Sequence, residues 1–352
     1  MDSLLEFLDH SRSSILRWSL QFPFARALFK SRAQRLLFFF LISLIINLAL
    51  SLSVPVWMLV IGPVVFGLPH LVSGARYIAR SHGLNYRTGF LILISILAVG
   101  AIRLLQTFQY GNWILIPGWM DAWEWLAFLI TLVWLFFQLK TSTRGMWWKI
   151  AVFALVAAVG FYFPVPVAAF LLIGHNFVSF FYWIQATQTR DEKNVAYWAL
   201  GLFALVTASI LLGTWDSILH WTQAGATELS ASASGWSFGQ LVFPGSQNDA
   251  LLDRGLCAYA FGQALHYFVW LKAVPEQSIA QTVPLSFRVS ARDFVRDLTR
   301  PVAVICAVIC LIPLMALFLV HVDVLRNVYV AGSTAHGYIE FAGLSFFAVK
   351  RA

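Results

Sequence analysis

Apolar runs long enough to cross a bilayer recur from about residue 36 to the end of this chain, and they constrain its fold more than any motif does. A helix rises about 1.5 Å per residue, so roughly 17–25 apolar residues span a hydrocarbon core about 30 Å thick. Ten such runs can be placed, at 36–53, 55–79, 88–106, 121–138, 147–163, 165–186, 195–213, 255–272, 301–321 and 328–349. With 60% hydrophobic and 11% charged residues, the composition is far from that of soluble domains. The sequence therefore predicts an all-α, polytopic membrane bundle of about ten transmembrane helices, a single unit over residues 36–350.

The basic residues supply a topology. With the N-terminus placed in the cytoplasm, 21 of the 24 Lys and Arg fall in the N-terminal segment, in inner loops or at the C-terminus. Only Arg103, Arg254 and Arg326 fall elsewhere. One missed or invented span would invert every later loop, so this bias supports ten spans with both termini cytoplasmic. The net charge of +8 is then explained by orientation and by anionic headgroups, and nucleic acid is not an expected partner.

Residues 1–35 mix Leu4, Leu5, Phe7, Leu8, Ile15 and Leu16 with Arg12, Arg17, Arg26 and Lys30, the pattern of a basic amphipathic segment at the interface. Ser53-Val54-Pro55 and Pro164-Val165-Pro166 divide neighbouring runs and predict two tight helical hairpins, each with proline in the first turn of the returning helix. Asp293 and Asp297, interleaved with the basic residues of Arg288–Arg300, predict a solvated juxtamembrane helix. The outer segment 214–254 is the one sizeable polar stretch, a lid or a connector. Cys257, Cys306 and Cys310 have no disulfide or zinc spacing and read as small core residues.

Four histidines lie inside apolar runs: His70, His175, His266 and His336. They fall on the second, sixth, eighth and tenth spans, all running inward, at depths of about 12–22 Å from the outer ends. Ionisable side chains at such depth are costly and usually functional, and neutral imidazole binds a transition metal without adding charge to an apolar interior. The expectation is a shared metal site with these four histidines as ligands; a proton or hydrogen-bond relay, or separate structural hydrogen bonds, are the alternatives. Glu340, four residues after His336, is the acidic residue deep in a span and the candidate catalytic group, as ligand, orienting acceptor or proton carrier. Asn176 and Gln263 are candidates to support the ligands from behind, and Gly67, Gly174, Gly262 and Gly332 are candidates for close helix approach.

All-imidazole ligation suits iron, copper or zinc, and aromatic walls suit an apolar substrate from the lipid phase. Iron with dioxygen is the expected chemistry. A haem protein would pair facing histidines, and a proton-coupled transporter would use the histidines with Glu340 as a relay. Clustered histidine boxes of membrane desaturases are absent.

Gly67-Leu68-Pro69-His70 on an early span, followed by single histidines on later spans, resembles the Brp/Blh family of bacterial membrane β-carotene dioxygenases. The resemblance implies an inner-membrane location, non-haem iron held by four histidines, and oxidative cleavage of a carotenoid-like isoprenoid. Where that family has two histidines four apart, this chain has His336 and Glu340.

Overall fold

A computed structural model describes residues 2–67, 69–70, 72–74, 76–77, 129, 154–155, 158–160, 162–222, 249–277, 286–298, 337 and 340. Among them there is no strand. The expected spans at 88–106 and 301–321, most of 147–163, and all of 121–138 and 328–349 except Leu129, Gly337 and Glu340, lie outside the described residues, as do His336, Gly332, Cys306 and Cys310.

The N-terminal segment forms α1 (Asp2–Ser19) and α2 (Pro23–Lys30), followed by α3 (Arg32–Ser53). Ser31 caps α3 by accepting a hydrogen bond from the Gln34 backbone N–H at 3.3 Å. The helix stops where Pro55 disfavours helical geometry at Val54, and α4 (Pro55–Gly62) begins with that proline at its first position. A π-helical turn, Pro63–Gly67, follows, and the described positions between 69 and 77 are helical again. Helix α5 (Pro164–Ala186) carries both prolines of its Pro-Val-Pro start in the first turn.

Helix α6 (Arg190–Leu211) opens with a capping box in which the Thr189 hydroxyl and the Glu192 carboxylate each accept a backbone N–H of the other residue. It closes on Gly213, whose φ of 83° lets the Thr214 N–H reach the Ser209 carbonyl at 3.0 Å. After α7 (Asp216–Thr222), the chain is described again from α8 (Asp249–Phe268), which runs through a second π turn, Val269–Ala273, into α9 (Val274–Gln277). Helix α10 is Phe287–Leu298.

Cross-helix contacts give the helix directions. From α3, Arg35 meets Glu276 and Phe40 packs on Phe268, so α3 runs opposite to α8. Phe66 meets Tyr267 and the Ser73 hydroxyl donates to the Trp270 carbonyl at 2.5 Å, so α4 and its continuation run with α8. His175 against His266 and Tyr182 against Trp270 put α5 in that same direction, whereas Glu192 beside Arg32 puts α6 in the direction of α3. The alternation expected for spans one, two, six, seven and eight is present, and α3 and α4 form the expected hairpin.

The centre of the bundle is aromatic, with Phe40, Phe180, Trp183, Phe203 and Phe261 all buried and Phe180 stacked on Phe203 at 4.8 Å. Helices α3 and α6 are each long and apolar enough to cross a membrane. Their outer faces are apolar too: Ile45, Ile46, Trp198 and Leu205 are each more than half exposed. A helix that is apolar all round yet on the surface matches a lipid surrounding rather than water.

At the end where α3 begins, Arg35 is 2% exposed and donates Nε–H to Glu276 at 2.6 Å, while Lys272 holds the other Glu276 oxygen at 2.8 Å. At the opposite end Arg254 forks onto Asp216, and this bidentate bond raises the guanidinium pKa above its ordinary value. Outside the bundle, Asp9 of α1 accepts the Phe287 and Arg288 backbone N–H groups at 2.6 and 3.2 Å, capping α10 from a distant part of the chain. The basic helix α10 therefore packs on the N-terminal segment.

Candidate functional site

His70, His175 and His266 come from three helices that run the same way, and the fold brings them together. The His266 ring centroid lies 5.1 Å from that of His70 and 4.9 Å from that of His175. All three are buried, as is Glu340, whose Oε1 stands 3.5 Å from His266 Nε2. The carboxylate four residues beyond His336 thus faces the histidine of α8. His266 is the hub of the cluster.

Ring spacing of this kind has a geometric meaning. Two imidazoles bound to one ion at about 2.1 Å, at tetrahedral or octahedral angles, have centroids about 4.5–5.2 Å apart. Both measured separations fall in that interval. His70 Nδ1 lies 3.3 Å from the Phe66 carbonyl, which only accepts, so Nδ1 carries the proton and Nε2 keeps the lone pair of the neutral ring. That tautomer is the one a metal ligand needs. Among the described residues no three His, Cys, Asp or Glu side chains are arranged to hold a metal ion.

The surroundings are packed closely. A Cβ on Gly262 would lie 3.1 Å from Asn176 Nδ2, so that glycine sets the approach of α8 to α5 beside His175. Gly337 also faces His175, where a Cβ would make an ordinary contact at 3.5 Å. Asn176 is buried next to His175. Gln263, one turn before His266, is also buried, and its amide makes no hydrogen bond to a histidine among the described residues.

Three participants were not singled out by the sequence. Tyr182 donates its hydroxyl to the Glu340 backbone carbonyl at 2.8 Å, tying α5 to the segment that carries Glu340. Tyr267 packs on His70 with ring centroids 4.8 Å apart and forms one wall of the cluster, and the Trp270 ring centroid lies 6.5 Å from that of His266. Tyr182 stands two helical turns after His175 and Trp270 one turn after His266, so helical spacing was the available signal for these two, while Tyr267, next to His266 in sequence, carries no such spacing. Comparison of the chain with protein-family models, with curated proteins and with solved structures gives no match.

Proposed function

We propose that the chain is a multi-pass integral membrane metalloenzyme of the bacterial inner membrane, a non-haem iron oxygenase acting on an apolar lipid or isoprenoid taken from the bilayer. The observation that carries this reading is the meeting of His70, His175 and His266 at ring spacings of 4.9 and 5.1 Å, with Glu340 beside them, in a dry aromatic interior. The likeness of Gly67-Leu68-Pro69-His70 to the Brp/Blh dioxygenases points to the same chemistry. His70, His175, His266 and the expected fourth ligand His336 would hold the metal. Iron bound there supplies the redox capacity to bring dioxygen onto an unactivated carbon chain, which no protein side chain provides.

The chain's own residues do the rest. The Phe66 carbonyl fixes the His70 tautomer, Tyr267 and Trp270 exclude water, and Glu340 holds or moves a proton at His266 Nε2. A second reading, a proton relay in a transporter, draws on that same contact of 3.5 Å between His266 and Glu340.

Elemental analysis and an optical spectrum of the detergent-purified protein separate these readings. About one iron per chain without a Soret band, together with oxygen-dependent pigment loss in a carotenoid-producing host that requires His175, is the expected result. A Soret band would establish haem instead, and protein that holds no metal after iron loading would leave the relay.

A further inference from the structure

Between α3, α4 and α8 lies a groove of about 470 Å³, within the range of about 300–1,000 Å³ common for small-molecule sites. Its rim is apolar and open sideways, with Trp57, Ile61 and Phe66 each close to half exposed. On that side of α3 and α4 the surface faces lipid in the reading above, so molecules enter from the bilayer.

One wall is different in character. Gln263 lines the groove and is 3% exposed, and neither its amide oxygen nor its amide nitrogen has a hydrogen-bond partner among the described residues. An amide left unbonded in an apolar wall is costly, and a ligand that supplies the missing bonds removes that cost. Tyr267 lies one turn further along the same wall, and its ring also meets that of His70 at 4.8 Å, tilted by 53°. The groove is therefore one side chain away from the histidine cluster, and Tyr267 is the partition.

We propose that this groove binds a single-chain isoprenoid alcohol, with its apolar body between Trp57, Ile61 and Phe66 and its hydroxyl on the Gln263 amide. A hydroxyl both donates and accepts, so it can serve both ends of that amide, and it brings no charge into a dry wall. A hydrocarbon of the same shape fills the groove but leaves Gln263 unbonded. A phospholipid acyl chain offers only ester acceptors and cannot serve the amide oxygen. The inference deepens the proposed function and rests on it for turnover at the histidines, while binding in the groove is measured separately.

The test uses the full chain in nanodiscs of phosphatidylcholine and phosphatidylglycerol, with radiolabelled geranylgeraniol and the hydrocarbon of the same skeleton lacking the hydroxyl. Wild type should bind the alcohol about tenfold more tightly than the hydrocarbon, the scale of one hydrogen bond in a membrane interior. Gln263→Leu should abolish that advantage and leave hydrocarbon binding as it was. Ala264→Trp fills the groove and should remove both, with metal content read alongside. Equal binding of the two probes to wild type, or undiminished binding by Ala264→Trp, overturns the proposal. A preference for the alcohol in protein that holds no metal would overturn the oxygenase reading and leave the groove assignment standing.

Discussion

Replacement of His266 is the most direct probe of the cluster, because its ring contacts those of His70 and His175 and its Nε2 faces Glu340. Metal binding at a four-ligand protein site is worth about 10–16 kcal/mol, so one imidazole accounts for about 3 kcal/mol and its loss weakens affinity roughly a hundredfold. His266→Ala also leaves a void beneath rings that are fully covered, a change that typically costs about 2–5 kcal/mol of folding stability. His266→Gln keeps most of the volume and a polar end, so it separates ligation from packing. We expect both variants to lose metal during a chelator challenge that wild type survives, with only the alanine variant melting markedly earlier. His10 is exposed on α1 and provides the control, since His10→Ala should match wild type in both measurements. Equal metal retention by His10→Ala and both His266 variants would refute the shared-site reasoning.

Glu340→Gln should keep most of the metal yet slow turnover at least tenfold with a flattened pH profile, because the amide cannot carry a proton; unchanged kcat across pH would remove Glu340 from the chemistry. At the buried pair, Glu276→Leu should cost about 3–5 kcal/mol in thermal unfolding, whereas the double variant Arg35→Leu/Glu276→Leu should recover most of it, since the stranded charge is gone. A single cysteine at Ser217 should react with an impermeant reagent from outside the cell and one at Ser290 only from the cytoplasm; labelling of both from one side would break the topology. For Asp9, partial desolvation acts to raise the pKa, while hydrogen bonds from the Phe287 and Arg288 backbone and the Ser286 hydroxyl, with the Arg12 charge, lower it below the ordinary value. Because the docked pKa is depressed, the cap is complete above about 3.9, the unperturbed Asp value, and is lost as pH falls through the lower docked value. Spin labels on α1 and α10 should separate in that acid range, and Asp9→Ala should separate them at neutral pH.

Local signals in the sequence located the described helices well. Pro55 and the Pro-Val-Pro at 164–166 start α4 and α5, and Thr189 with Glu192 starts α6, because a ring or a cap acts within a few residues of itself. The alternation of basic residues matches the direction of each described apolar helix, and direction together with the count of residues from each outer end put His70, His175 and His266 at similar depth. What local signals do not carry is azimuth. The pairing of Arg35 with Glu276 spans 241 residues, and the placement of Glu340 against His266 depends on how two distant helices are rotated, for which neither sequence has a periodic mark. Gln263 shows the same gap: its spacing put it on the face of His266, yet whether its amide meets a histidine or a groove depends on the neighbouring helix.

Part of that rotation is set by the two π turns. Pro63–Gly67 ends three residues before His70, and Val269–Ala273 begins three residues after His266. A π turn accommodates one extra residue in the α-helical ladder, which rotates everything beyond it by about 100°, the angle per residue of an α-helix. In α4 the extra residue lies between Val56 and Leu59, which pack on Leu256 and Ala260, and His70, whose ring meets His266, so it sets the azimuth of His70 relative to that contact. In α8 the extra residue lies beyond His266 and instead adjusts Lys272 and Glu276, the groups that lock α3 at the basic end. The same helix can therefore satisfy a histidine contact in its middle and a buried ion pair at its end, two demands that one uninterrupted α-helical register would set against each other.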